Sequence, residues 1–277
     1  MKTIILIPTL LLFQLVLFAQ SETEARDYLQ KKIESLKSLY KEPINNLRLR
    51  IDNGETTAET ALDSTFDALS AAYQLLYKDI IYRFPNTETA TENMHMFYFN
   101  EPFDTLLAHY QKLGPVALQS KNGQDAAAFI ERGKKLQPGV EAPTFSHPDT
   151  SGKPVSLQDY RGKYVLLEFW ASWCEPCRAE NPNIKAAYSN YNPSGFDVLG
   201  ISMDKERDKG KWLKTIYEDG LPWQQVSDLK GYGNEVFWLY NVLPIPDNYL
   251  IGPDGKIIAR GLRGKKLNDK LEEIFEK

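Results

Sequence analysis

The stretch Tyr164-Val165-Leu166-Leu167-Glu168-Phe169-Trp170, followed by Ala171-Ser172-Trp173-Cys174-Glu175-Pro176-Cys177, decides the fold. Its first seven residues carry one charge, Glu168, and otherwise read as a strand buried on both faces. The two cysteines behind it are the only ones in the 277-residue chain. They stand three positions apart where a helix is expected to begin, about at Pro176, because a proline in the first helical turn gives up an N–H that has no partner there. A strand that delivers two thiols to the start of a helix is an arrangement for redox chemistry.

Working outward, the flanking pattern alternates strand and helix. A helix is expected from about Pro176 to Tyr191, a strand from Phe196 to Ser202 and a helix from Lys209 to Asp219. A short strand follows at Trp223 to Ser227, then a helical turn at Asn234 to Tyr240. Asp247–Ile251 and Lys256–Ala259 pair as a hairpin across Gly252-Pro253-Asp254-Gly255, and Leu267 to Phe275 closes the chain as an amphipathic helix. Ahead of the buried strand, Thr144–Ser146 and Pro154-Val155 flank a turn at Asp149–Gly152. The resulting α/β domain covers 137–277 and starts at the Pro- and Gly-rich linker Gln137-Pro138-Gly139-Val140-Glu141-Ala142-Pro143.

Residues 22–136 read as a mainly helical domain. Leu29, Ile33, Leu36 and Leu39/Tyr40 share one helical face, with Lys41-Glu42-Pro43 expected to end that helix. Leu62, Phe66, Leu69, Tyr73, Leu76 and Ile80 form a second stripe suited to a small antiparallel bundle. Further helices are expected at 102–113 and 123–136. His95, His109 and the aromatic-rich run 94–99 read as packing residues, because no ligand spacing here matches a metal site.

Lys2, an apolar run from Ile4 to Phe18 and then Ala19 before Gln20-Ser21-Glu22 read as a signal peptide over 1–19. If uncleaved, that segment would act as a short membrane anchor. The mature protein is thereby expected to be exported and soluble. With 33 Lys and Arg against 37 Asp and Glu and a net charge of −4, no basic stripe argues for nucleic acid.

The thiolate is the reactive form of cysteine. At a helix N-terminus, unpaired N–H groups and the helix dipole favour that anion at Cys174. Cys177, one turn along, is placed to resolve a mixed disulfide formed by Cys174. These assignments make Cys174 the exposed nucleophile and Cys177 the buried resolving thiol. A ring closed over so few residues is poorly suited to stapling a fold. Glu175 beside the nucleophile should raise its pKa and bias the pair toward the reducing end, as a stronger reductant. Glu168, buried in the strand, is expected to hold a proton and to accept that of Cys177. Pro246 at a strand entrance is a candidate cis-proline; with Ile245, Trp173, Glu175 and Pro176 it would contact substrate. Zinc would need more ligands than two cysteines. Covalent haem attachment would need a histidine where Arg178 stands, and a thiol peroxidase would want a threonine where Ala171 stands. No metal and no cofactor are called for, because the dithiol itself carries two electrons.

The chain from about 138 resembles the thioredoxin superfamily, specifically its exported TlpA/ResA-type thiol–disulfide oxidoreductases. The resemblance rests on Phe169–Arg178 with Glu180 and Pro182, and on Ala142-Pro143 with the lead-in from Leu157 to Lys163. Ile245-Pro246, Asn248–Ile251 and Asp254–Ile257 complete it. It implies a thioredoxin-like fold, a central mixed sheet flanked by helices. It also implies Cys174 as attacking thiol, Cys177 as resolving thiol, Glu168 as buried acid and Pro246 as cis-proline. Disulfide-containing protein clients and a membrane-bound thiol donor are the implied partners, with cytochrome c maturation or repair of wrong disulfides as implied roles. Pro244 and Asp247 depart from the family pattern where a client would dock. The alternative is a redox-sensing or partner-binding module, in which the helical domain captures a partner and the dithiol does not turn over.

Overall fold

The computed structural model describes residues 9–92, 94–97 and 101–276, with backbone alone for 9–20, 95 and 96. Residues 1–8 of the signal reading and the His95 side chain therefore lie outside the described residues, as does part of the 94–99 run. No helix among the described residues is long and apolar enough to cross a membrane. The chain divides into two compact units between Ile130 and Glu131.

The first unit is helical: α1 (Thr9–Asp52), α2 (Thr57–Arg83), α3 (Thr89–Glu92), α4 (Phe103–Tyr110), α5 (Pro115–Gln119) and α6 (Lys121–Lys134). α1 packs along α2, and Tyr28 Oη donates to Asp79 Oδ2 at 2.6 Å across that contact. Glu22 of α1 accepts from the backbone N–H of Glu88 at 2.8 Å and from Thr89 Oγ1 at 2.5 Å, holding the start of α3. Leu76, Ile80 and Ile81 of α2 are buried, as are Ala25, Leu29 and Leu106. The stripe on α2 is buried only toward its C-terminal end, for Phe66 is 40 % exposed while Ile80 is 1 % exposed.

Pro43 does not end α1, which runs on to Asp52. A proline inside a helix removes one backbone bond and crowds the carbonyl four residues back. Here Pro43 is exposed, and the apolar spacing continues through it: Tyr40, Ile44, Leu47 and Ile51 are all half-buried. Packing along that face outweighs the local penalty, as tertiary contacts generally do for helices. The same spacing could have shown the continuation in the sequence. The unit boundary also falls earlier than the linker at 137–143, inside α6. Beyond it Arg132 Nε donates to Asn241 Oδ1 at 2.8 Å, and Leu136 joins the core of the second unit.

That unit runs β1 (Ser146–Pro148), β2 (Pro154–Ser156), β3 (Tyr164–Trp170), α7 (Glu175–Tyr191), β4 (Phe196–Ser202), α8 (Lys209–Glu218), β5 (Gln224–Val226), α9 (Glu235–Leu239), β6 (Asp247–Ile251), β7 (Ile257–Arg260) and α10 (Lys265–Phe275). β1 and β2 form a separate antiparallel pair. The main sheet has the order β5-β4-β3-β6-β7. β3 is central, parallel to β4 and antiparallel to β6, and β4 is parallel to β5. A strand flanked on both edges and packed on both faces has to be apolar almost throughout. Val165 to Trp170 are all buried. α10 packs against α7, with Tyr191 and Phe275 stacked at 5.2 Å.

Replacing Pro43 by alanine restores a helical N–H and removes the clash. Pro43→Ala is expected to raise the thermal midpoint of the helical signal by a stabilisation of about 1–3 kcal/mol, read by far-UV circular dichroism.

Candidate active site

β3 ends at Trp170, and Ala171, Ser172 and Trp173 lead into Cys174, the N-cap of α7. Cys174 and Cys177 are joined by a disulfide with Cα atoms 5.3 Å apart. Cys174 Sγ accepts from the Cys177 backbone N–H at 3.2 Å, so one of the orphan donors of the first helical turn faces that sulfur. In this oxidised form Cys174 is only 5 % exposed and Cys177 1 %. The expectation of an exposed Cys174 is therefore corrected: bonded to Cys177 and turned onto the helix end, its sulfur is largely covered. Trp173, 43 % exposed, is the prominent surface feature beside it. Glu175 and Pro176 are exposed as well.

Trp173 shares a groove of about 330 Å³ with Met203, Lys205, Arg207, Asp208 and Tyr232. The Ile245–Pro246 peptide is cis, with Pro246 buried and Ile245 half-buried directly before β6. Asp247, the departure noted after it, is held by Arg260, whose Nη2 and Nε donate to Asp247 Oδ2 at 2.6 and 3.0 Å.

Glu168 sits in the middle of β3, 3 % exposed. Its neighbours in register are Gly200 on β4 and Asn248 on β6. Asn248 Nδ2 donates to Glu168 Oε2 at 3.0 Å and to the Leu262 carbonyl at 2.7 Å, while Asn248 Oδ1 accepts from Leu262 N–H at 2.8 Å. Burial pushes the Glu168 carboxyl up to about 8; the Asn248 hydrogen bond pulls down, and Asp247 pushes up. Arg263 and Glu180 also act on it, and Glu180 lies one turn beyond Cys177 along α7. At neutral pH this is a protonated acid that takes up charge within reach of mildly alkaline conditions.

Asp204, just beyond β4, escaped the sequence reading. It is fully buried. Its carboxyl oxygens accept from Ser172 N–H at 2.9 Å, Ser172 Oγ at 2.6 Å and Ser202 Oγ at 2.7 Å. That network pins the turn two residues before Cys174. A lone aspartate after a strand carries no signal for such a role, because its partner lies 32 residues away in the chain. Arg178, in the position where haem attachment would need histidine, makes a paired contact to Asp219 at 2.6 and 3.0 Å. Among the described residues there is no cluster of three or more His, Cys, Asp or Glu able to hold a metal ion. His109 lies against Phe97 and Tyr82, with ring centroids 5.6 and 5.8 Å away, and burial lowers its pKa, the behaviour of a packed imidazole.

Residues 138–260 match the AhpC/TSA family. The thiol-disulfide oxidoreductase ResA of Bacillus cereus is 33 % identical over 149 residues, covering 54 % of this chain and 83 % of that protein. This chain belongs to the ResA-type thiol–disulfide oxidoreductases of the thioredoxin superfamily. ResA of Bacillus subtilis is 30 % identical over 125 residues, 45 % of this chain and 67 % of that protein. Among solved structures, the thioredoxin domain of a thiol-disulfide oxidoreductase from Bacteroides vulgatus is 36 % identical with a TM-score of 0.47, covering 50 % of this chain and 99 % of that one. The matches to these relatives cover about half of this chain.

Two outcomes follow from the geometry. Asp204→Ala leaves buried donors at Ser172 and Ser202 unpaired and is expected to cost about 2–4 kcal/mol in urea denaturation of the oxidised protein. For Glu168, the unfolded chain releases its proton near the ordinary value of 4.5, while the fold retains it to about 8. Its contribution to stability is therefore fullest below 4.5 and falls as pH rises through 8. Wild type should lose stability on the order of a few kcal/mol over that interval, and Glu168→Gln should lose much less, read by denaturation at a series of pH values.

Proposed function

We propose that this chain is exported and reduces disulfides in protein clients, with Cys174 as the attacking thiol. The observation that carries the reading is the Cys174–Cys177 disulfide across the first turn of α7, with Cys174 at the N-cap. An anion at that place is favoured by free helix N–H groups. In the reduced protein the Cys174 thiolate attacks one sulfur of a client disulfide. A mixed disulfide forms, and the other client sulfur leaves as a thiolate. Cys177 then gives up its proton and attacks Cys174 Sγ. The Cys174–Cys177 bond closes and the second client sulfur is released. Two electrons have passed to the client, and both its sulfurs end as thiols once protonated. Glu168 accepts the Cys177 proton after first giving up the proton it holds at neutral pH.

Trp173, Glu175 and Pro176 supply the exposed surface beside the disulfide, and Ile245 with Pro246 supplies the other edge of the docking site. The signal-like residues 1–19 support an extracytoplasmic location, and in that compartment the dithiol needs a thiol donor at the membrane to be reduced again. Clients in cytochrome c maturation, or proteins with mispaired disulfides, fit such a reductant. A second reading, partner capture by the helical unit with a dithiol that does not turn over, is favoured by exposed apolar side chains there. Leu39 and Leu75 are 67 % and 66 % exposed.

The test is the reduction potential of the pair, followed by tryptophan fluorescence in dithiothreitol or glutathione buffers. A value near that of thioredoxin, about −270 mV, is expected for a reductant. A value near −120 mV would make the protein a disulfide donor instead. Insulin reduction should be abolished in Cys174→Ser; if wild type is equally inactive with reductant present, the partner-capture reading takes its place.

A further inference from the structure

Four residues in register form a polar row across the sheet: Asn248 on β6, Glu168 on β3, Gly200 on β4 and Gln225 on β5. Residues paired directly across neighbouring strands present their side chains on the same face. This face also meets α7, since Tyr188 of α7 lies 5.8 Å from Trp223, two residues before Gln225. Asn248 covers Glu168 from one side. The other side is unusual, because Gly200 offers no side chain and Gln225 reaches into the space above it. A Cβ on Gly200 would lie 2.1 Å from Gln225 Oε1 and 2.9 Å from Nε2. The Gln225 amide therefore lies over β4, the strand next to Glu168.

The orientation of that amide is set by a single bond. Gln225 Oε1 accepts from Trp170 Nε1 at 2.9 Å, and Trp170 is two residues along β3 from Glu168, on the same face. Gln225 is 3 % exposed, and its Nε2 is buried without a hydrogen-bond partner. A buried donor left open costs about 1–3 kcal/mol, so its retention calls for a reason.

We infer that Gln225 is a positioning residue that holds its amide N–H over Gly200 for the ionised carboxyl of Glu168. Its catalytic consequence rests on the reading of Glu168 as acceptor for the Cys177 proton. With Glu168 protonated, the donor waits unpaired. When Glu168 ionises, the amide and Asn248 face the new charge from opposite sides. The other charges acting on Glu168 are Asp247 on β6, Glu180 on α7 and Arg263 beyond β7. The two carboxyl groups oppose ionisation and the guanidinium favours it. Gln225 adds a fixed neutral dipole from the β4–β5 side.

The experiment is a carbon-detected NMR titration of the Glu168 carboxyl in the oxidised full chain, for wild type, Gln225→Met and Gln225→Glu. Gln225→Met keeps the length and removes the donor, while Gln225→Glu keeps an acceptor for Trp170 and removes the N–H. Both variants should raise the Glu168 pKa, with about a tenfold weaker ionisation in Gln225→Met. An unchanged Glu168 titration in Gln225→Met, with the wild-type amide spectrum otherwise retained, would overturn the inference. If Gln225→Met does not fold, an unshifted or lowered value in Gln225→Glu overturns it equally. The pH profile of insulin reduction separates this from the proton-acceptor reading. A profile that ignores Glu168→Gln while the titration still shifts removes the acceptor role and leaves the Gln225 assignment standing.

Discussion

β3 is covered on both faces and both edges, yet it carries a carboxyl group at its centre. Water cannot reach Glu168 to solvate its charge, so the neighbouring strands have to supply whatever polarity it receives. Asn248 does so from β6 while tying itself to both the N–H and carbonyl of Leu262. On the β4 side, a glycine opens the space and a glutamine from the next strand fills it. A raised carboxyl pKa is the direct result of this shortage of solvation. The same burial keeps the group poised to exchange a proton near neutral pH.

The disulfide sits at the point where that strand hands over to α7. Its chemistry depends on a short turn being held still, and Asp204 does this from inside the unit. Three hydrogen bonds to Ser172 and Ser202 fix the end of β4 to the turn preceding Cys174. Arg178, Asn181 and Lys185 tie successive turns of α7 to Asp219 after α8. The helix that presents the sulfurs is thus anchored at its start and along its length. In the oxidised form the sulfurs themselves are nearly covered, and Trp173, Glu175 and Pro176 are the exposed residues beside them.

The thioredoxin-like half was legible because its signals are local. An apolar heptapeptide, a proline in the first helical turn, and Gly and Pro in the hairpin loop each act within a few residues of themselves. Glu168 could be singled out for the same reason, as the one charge in a buried run. The helical half was harder. Pro43 carries a strong local stop signal, but the apolar stripe from Tyr40 to Ile51 continues through it, and packing prevailed over propensity. α5 was missed altogether, since five residues are too few to show a period.

By itself, then, the sequence determined the alternating α/β order, the pairing of two thiols at a helix start and the buried acid on the preceding strand. Each is written in residue type and spacing along a continuous segment. Only the tertiary structure decided that Asp204 holds the active-site turn, that Asp247 is bound by Arg260, and that Gln225 fills the space left by Gly200. Those relations join residues far apart in the chain. They exist because strand register and close packing bring such groups together, and neither can be read from the residues one at a time.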